Sequence, residues 1–516
     1  MSNYFRLRTI EVENFMAIAH GKISVPSYYD INTDAPSYIP SEILGVYGMN
    51  GTGKSSLVNA LMMLRAVYDS EMERVMRKAD FGEQRALHKI DKNTFKLMIR
   101  KGADLAAFIY TFDICTERKY LKVGEVTISF SIKATEEGFE VFNEKVVINT
   151  DTFNVVIKTG QDLSTYVMNN SFIPLLSNEY ADIHKSKVLK DLKSYKLKAK
   201  EGVSVICQFI KHYHNNFENS ETSEILWDFL KYVSAKICIV GDYDFGRVRS
   251  ANYHYRFVLN WPSPIYNKVD EKMQLPNAEP DDRFRFFLDL KTGKIALAND
   301  IYLHPVAEDA VYEALNYYMG RLGYIIGEFI KGLSFTVTMG TPVTNEVTII
   351  NPKDRKSFKS RFTESEYRLW SVRDGKMIPF GQESYGIKKL LLIVLNLVSV
   401  MNDPSFTLVV DEMDEGLFEY LLGDVLTSLR EDGHGQLIFT AHNLIPLERL
   451  DKKSIWFTSN DVNKRFERIG DLKRENNLRD IYFKEISGTR LSSRDSLFYG
   501  VSKGSIVEAL KEAAKY

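Results

Sequence analysis

Ile43-Leu-Gly-Val-Tyr47-Gly48-Met-Asn50-Gly51-Thr52-Gly53-Lys54-Ser55-Ser56 is the stretch whose reading decides the fold. A short apolar run, predicted as a strand over Ile43–Tyr47, passes straight into a glycine-rich loop. From Lys54 to about Lys78 apolar residues then recur at helical spacing, with Leu57, Leu61, Met62 and Leu64 on one face. Gly48–Ser55 fits the phosphate-loop pattern G-x-x-x-x-G-K-S/T, and it sits between a strand and a helix, the context that pattern requires. The glycines let backbone N–H groups curl around a phosphate, and the helix N-terminus adds a favourable dipole. Lys54 is placed to neutralise phosphate oxygens and Ser55 to ligate Mg²⁺. Asn50, Gly51, Thr52, Gly53, Lys54, Ser55 and Ser56 are therefore the expected site for ATP with Mg²⁺.

A second stretch completes the expectation. Thr407-Leu-Val-Val-Asp411-Glu412 is an apolar strand ending in two carboxylates. At the C-terminal edge of a parallel sheet, Asp411 is placed to hold Mg²⁺ and Glu412 to act as general base toward water. Gln436-Leu-Ile-Phe-Thr-Ala-His442 is another buried strand, ending in a histidine. A strand following the acidic strand and its helix is expected beside the phosphate-loop strand, which brings His442 within reach of a γ-phosphate. Ser384-Tyr-Gly386 precedes an apolar helix. A serine and a glycine there offer a hydroxyl and bare N–H groups to an anion, although taken alone a simple helix cap explains Ser384 better.

Residues 4–12 alternate as a half-buried strand does, with Gly21–Val25 as its hairpin partner, and about 95–159 reads as an antiparallel sheet. Helices are predicted over Asp182–Lys200, Val203–Asn216, Glu224–Lys236 and His304–Lys331. An exposed loop is expected over Trp261–Asp282, which holds four of the fourteen prolines. After about 333 strands return, and then helix Gly386–Met401, strand Thr407–Val410, helix Leu417–Arg430 and strand Gln436–Thr440 alternate as in a parallel α/β sheet. The organisation expected is 1–160, carrying the phosphate loop; 161–340, a mainly helical insert; and 341–516, carrying the acidic and histidine strands.

The bulk numbers restrict the function classes. The chain has 516 residues, 67 basic and 68 acidic side chains and a net charge of −1, so any nucleic-acid contact has to come from a local patch. One candidate is the run Lys185, Lys187, Lys190, Lys193, Lys196, Lys198 and Lys200, with Val188, Leu189, Leu192, Tyr195 and Leu197 as its apolar side. It reads either as a phosphate-contacting stripe or as the solvated face of an amphipathic helix, and the near-neutral total favours the second. Cys115, Cys207 and Cys238 are scattered and read as reduced thiols. His212 and His214 lack further ligands nearby and are given no metal role. The N-terminus lacks a signal-peptide stretch. The longest apolar run, Leu390–Met401, is interrupted by Asn396 and too short to span a bilayer, so a soluble cytoplasmic protein is expected, with no membrane partner.

Taken together, these motifs resemble the ABC-type ATPase heads of the RecF, SMC and OLD group, especially the AAA15-type ATPases of bacterial anti-phage defence. The match covers roughly 1–160 and 340–460, opening with Ile10-Glu-Val-Glu-Asn14-Phe15. The resemblance implies an α/β fold: a P-loop head with a mixed sheet and an antiparallel β subdomain, split by the insert. It makes Lys54 and Ser55 the Walker A residues, Asp411 the Walker B aspartate, Glu412 the catalytic glutamate and His442 the switch histidine. Asp414 becomes the D-loop acid. Ser384 and Gly386 become a divergent signature that reaches the γ-phosphate of a partner head. Where relatives carry Leu-His-Pro, this chain has Leu417-Phe-Glu. A Q-loop glutamine is implied, with Gln84 the nearest candidate.

Only 74 residues follow His442, too few for the Toprim domain of OLD nucleases, and the insert is too short for SMC arms. The chain is thus expected to be similar to the stand-alone ATPases of Septu and PARIS systems. That implies a homodimer or higher oligomer closed by an ATP sandwich, plus a separately encoded effector, a nuclease by analogy. A RecF-like DNA-repair ATPase and an ATP-gated assembly scaffold with negligible turnover are the alternatives.

Overall fold

The computed structural model describes residues 3–27, 40–68, 98–116, 121–135, 139–159, 172–240, 254–258, 285–289, 292–297, 308–340, 343–350, 357–364, 366–415, 419–461 and 463–468. The chain divides into two compact units, one from 1–70, 89–242 and 398–516, the other from 71–88 and 243–397. The Trp261–Asp282 loop, Gln84, Leu417 and Phe418, and the part past Tyr68 of the helix expected to about Lys78, lie outside the described residues.

In the first unit, β1 (Asn3–Phe15) and β2 (Ile18–Ser24) form the expected hairpin, with Thr9 opposite Ser24 and Phe15 opposite Ile18. β3 (Glu42–Tyr47) is buried at every position and leads through the glycine loop into α1 (Lys54–Tyr68). The buried face of α1 carries Leu57, Ala60, Leu61, Leu64 and Tyr68; Met63 is buried, whereas the expected Met62 is only half-buried. β4 (Ala106–Thr116), β5 (Leu121–Ala134), β6 (Phe139–Thr150) and β7 (Asn154–Lys158) extend the hairpin into a six-stranded antiparallel sheet, ordered β2-β1-β4-β5-β6-β7. Three helices follow: α2 (Asn178–Ala199), α3 (Val205–Tyr213) and α4 (Ser220–Ala235), and then β8 (Ile237–Val240). Each helix starts at an oxygen-bearing cap (Ser177, Ser204 and Asn219) whose side chain accepts a backbone N–H from the first turn.

On α2 the buried stripe is Val188, Leu192, Tyr195 and Ala199, spaced at one side of a 3.6-residue helix. Leu197, expected on that apolar side, is 66% exposed. It lies two residues past Tyr195, about 200° around the helix, and so faces away from the core. His212 and His214 are structural: each ring Nδ1 hydrogen-bonds a carbonyl one turn back, and His214 stacks on Trp227 at 4.0 Å.

The second unit is described by β9 (His254–Val258), β10 (Arg285–Asp289), β11 (Lys294–Leu297), α5 (Glu308–Phe329), β12 (Ser334–Met339), β13 (Val343–Ile350), β14 (Ser357–Glu364), β15 (Tyr367–Arg373), β16 (Lys376–Pro379) and the start of α6 (Tyr385–Asn402). Its sheet runs β12-β15-β11-β10-β9, with β16 on β15, and β13–β14 is a separate hairpin. Leu315, Met319, Leu322 and Ile326 are the buried stripe of α5, and its Asn316 accepts the N–H of Val337 at 2.8 Å. α6 extends at both ends beyond the apolar run Leu390–Met401. By length and composition alone it could cross a membrane, but its Leu390–Val394 segment is buried within the protein, as in a core helix.

The chain returns to the first unit with β17 (Thr407–Val410), α7 (Glu419–Asp432), β18 (Gln436–Thr440), β19 (Ile455–Thr458) and β20 (Phe466–Glu467). The second sheet of this unit is ordered β20-β19-β3-β18-β17-β8, and all its pairs are parallel except β19–β20. β3, β17 and β18 are buried throughout, which is why each reads as an unbroken apolar run rather than an alternating one. Gly45 makes the sheet fit: a Cβ there would stand 2.9 Å from the Phe439 ring.

The N-terminal ends of these strands are tied to the antiparallel sheet by a buried ionic knot. Arg6 and Arg8 both donate to Glu42, at 3.0 and 2.6 Å, and Arg8 also pairs with Asp113. Gln436 exchanges two hydrogen bonds with the backbone of Leu7 and donates to Glu42 at 2.8 Å. Burial pushes the Glu42 carboxyl up, but Arg6 and Arg8 outweigh it and hold the group below the usual carboxylate range.

Candidate functional site

Because β19, β3, β18 and β17 are parallel, Thr458, Tyr47, Thr440 and Val410 all end at one edge of the sheet, where an α/β fold places its ligand. The chain leaves β3 at Gly48. The three loop glycines have positive φ, 155°, 79° and 104° at Gly48, Gly51 and Gly53. Gly48 is closed in by Thr458, whose Oγ1 would lie 1.8 Å from a Cβ, whereas a Cβ on Gly51 would meet nothing within 4 Å. One end of the loop is thus packed and the other open. Asn50 and Gly51 are exposed, Thr52, Gly53, Lys54 and Ser56 are buried, and Ser55 is half-buried.

Lys54 folds back over the loop, its Nζ donating to the carbonyls of Gly48 (2.8 Å) and Met49 (3.0 Å). Burial pushes the Lys54 ammonium down, against the pull of Glu412, Asp411 and Asp414. The Thr52 hydroxyl donates to Met49 O at 2.6 Å, and Ser56 Oγ accepts from Ala17 N–H at 3.4 Å. Arg465 braces the loop from outside: its stem flanks Gly53, while its guanidinium donates to the carbonyls of Ala17 and Ser459.

Beyond β17 come the acids. Asp411 is buried, and its Oδ1 accepts the Thr440 hydroxyl at 2.5 Å. Glu412 is held at φ 51°, in the left-handed region, with its N–H donated to Thr440 Oγ1 at 2.7 Å. His442 Nε2 stands 3.9 Å from Glu412 Oε1. Asp414 Oδ2 accepts the backbone N–H groups of His442 and Asn443, at 2.9 and 2.7 Å.

The structure therefore brings Lys54, Asp411, Glu412, Asp414 and His442 together beside the glycine loop. Three carboxylates around one ammonium leave an excess of negative charge, and hard oxygen donors from Asp411 and Ser55 are the set that suits Mg²⁺. The open backbone at Gly51 suits a phosphate. Ser384 and Gly386 belong to the second unit, at the start of α6. Ser384 is exposed and its Oγ accepts the Ile387 N–H at 3.4 Å, as a cap does. The turn before it is fixed by buried Glu383, which accepts from Ser371 and, at 2.7 Å, from Arg373.

Three residues of this site went unread in the sequence: Thr440, Thr458 and Arg465. Thr440 carries a signal, a hydroxyl ending an otherwise apolar strand two residues before the histidine. Thr458 and Arg465 carry none, since only the pairing of β19 with β3 brings them to the loop.

No family model matches the sequence, and no curated protein matches it. Among solved structures the chain is similar to the Smc head domain with an extended coiled coil from Pyrococcus furiosus, bound to the C-terminal domain of ScpA (13% identity over 90% of this chain and 96% of that one, TM-score 0.37). It is also similar to the SMC head domain from Thermotoga maritima (12% identity, 90% and 100% covered, TM-score 0.29) and to the recombination mediator protein RecF with ATP (11% identity, 90% and 99% covered, TM-score 0.34).

Proposed function

We propose that this chain is an ATP-binding and ATP-hydrolysing ABC-type head that works as a dimerisation switch. The observation that carries the reading is the convergence of Lys54, Asp411, Glu412 and His442 beside the phosphate loop. On binding ATP, the loop N–H groups from Asn50 to Ser56 cradle the β-phosphate, and Lys54 exchanges the carbonyls of Gly48 and Met49 for phosphate oxygens. Ser55 and Asp411 would hold Mg²⁺, which neutralises charge developing on the phosphates. Glu412 orients the attacking water and accepts its proton, and His442 faces the γ-phosphate. Asp414, Ser384 and Gly386 serve the contact with a second head, so that closing the dimer and completing the site are one event.

In this reading the chain acts in the cytoplasm, and 161–340 reports the ATP state to a separately encoded effector, a nuclease in anti-phage defence. The exposed lysines of α2 and its C-cap (Lys185, Lys187, Lys190, Lys193 and Lys200) support a second reading, a RecF-like ATPase acting on DNA. Steeply salt-dependent, ATP-dependent binding to DNA ends favours that alternative.

Glu412→Gln is the test. It should bind ATP, lose about 10²–10⁴-fold in turnover and accumulate the dimer by light scattering, whereas Lys54→Ala should lose nucleotide binding. Equal turnover in Glu412→Gln and the parent chain would sink the assignment.

A further inference from the structure

Past the ends of β17 and β18 two loops leave the sheet side by side, one carrying Asp411 and Glu412, the other His442. Neither is free of the other. The Thr440 hydroxyl, on the histidine strand, accepts the Glu412 N–H at 2.7 Å and donates to Asp411 Oδ1 at 2.5 Å. The Thr440 carbonyl accepts the Met413 N–H at 2.8 Å. In the reverse direction Asp414, on the acidic loop, accepts the N–H groups of His442 and Asn443. Glu412 meanwhile sits at φ 51°, a conformation that a residue with a Cβ keeps only where its surroundings impose it. Bonds flank the residue on both sides, its N–H to Thr440 and its carbonyl accepting the Glu415 N–H at 2.9 Å.

We infer that Thr440 and Asp414 are positioning residues: Thr440 sets the aim of Glu412 and Asp411, Asp414 sets that of His442, and the two loops move as one body. The inference rests on the ATPase reading above. A single hydroxyl that both accepts and donates is what the job requires. Valine in its place would keep the shape and lose both bonds, leaving the Glu412 N–H and Asp411 to find other partners.

The experiment measures kcat, KM for ATP, binding of a fluorescent ATP analogue and the urea midpoint in Thr440→Val, Thr440→Ser, Asp414→Ala, Asp414→Asn, His442→Ala and Lys54→Ala. Thr440→Val should lose about 10–100-fold in kcat while KM and analogue affinity stay within about threefold, since misaim of a general base acts on the chemical step. Thr440→Ser and Asp414→Asn, which restore the bonding atoms, should recover to within about threefold of the parent. Asp414→Ala should lose about tenfold alone and clearly less on the His442→Ala background, where only its contact with the second head remains to be lost.

Thr440→Val at parental kcat overturns the inference. So does Thr440→Ser as poor as Thr440→Val, or a loss of turnover matched by a loss of analogue binding. Should Thr440→Val fail to fold, Thr440→Ala against Thr440→Ser gives the same contrast. Turnover insensitive to Lys54→Ala removes the ATPase reading and this one with it. Turnover abolished by Lys54→Ala but parental in Thr440→Val removes this one alone.

Discussion

The parallel sheet has two polar ends built on opposite rules. At the N-terminal ends of its strands, Arg6, Arg8, Glu42 and Gln436 are buried, opposite charges meet and hydrogen bonds run back to the antiparallel sheet. At the C-terminal ends, three carboxylates gather around one lysine and Glu412 holds a left-handed backbone, while Gly51 and His442 stay open to solvent. Charges that are paired and sealed hold the scaffold. An excess of negative charge at an open edge suits a cation.

The largest effect should come from the sealed end. Glu42→Ala leaves Arg6 buried without its partner and should cost about 3–5 kcal/mol in a urea titration, with turnover per folded molecule unchanged. A loss below about 1 kcal/mol would mean that the knot is not what holds the two sheets together.

A third buried carboxylate sharpens the contrast. Glu144, in an irregular stretch of β6, is as deeply buried as Glu42, but among the described residues no cation pairs with it: it accepts from Ser204, from the N–H of Val205 at 2.9 Å and from Tyr68 at 3.5 Å. Burial therefore pushes its carboxyl up to about 7, the reverse of Glu42. The folded chain keeps a proton there that the unfolded chain releases near 4.5. Its contribution to stability is full below that value and lost as pH rises through about 7. From pH 5 to 8 the parent should lose on the order of 2–3 kcal/mol more than Glu144→Gln, read as the difference between their urea-denaturation curves. Parallel pH profiles would show that Glu144 is not the group responsible.

The smallest effect belongs to the open end. Gly48→Ala puts a methyl into Thr458 and should cost about 1–2 kcal/mol of stability, with nucleotide affinity falling further. Thr458→Ala in the same chain should return part of both. No rescue would place the defect in backbone strain at Gly48 rather than in that overlap.

Much of this was legible in advance. Strands β17 and β18 run over the residues the apolar runs indicated, because a strand covered on both faces writes its limits directly into the sequence. The neighbourhood of β18 and β3, which brings His442 to the phosphate loop, followed from strand order alone. The apolar side of α2 was misjudged at Leu197, where counting apolar residues says less than their angular spacing. Arg6 and Arg8 gave no sign of their partners, since Glu42 and Asp113 lie 36 and 105 residues away and reach them only through strand pairing.

The sequence by itself determined where the glycine-rich loop lies and which strand ends carry acid and histidine, because those properties reside in contiguous residues and their local periodicity. Only the tertiary structure decided that Thr440 lies between Asp411 and Glu412, that Thr458 closes over Gly48, and that one buried glutamate stays charged while another takes a proton. Those outcomes depend on register between strands and on which charges burial brings within a few ångströms, and neither is written in any single segment.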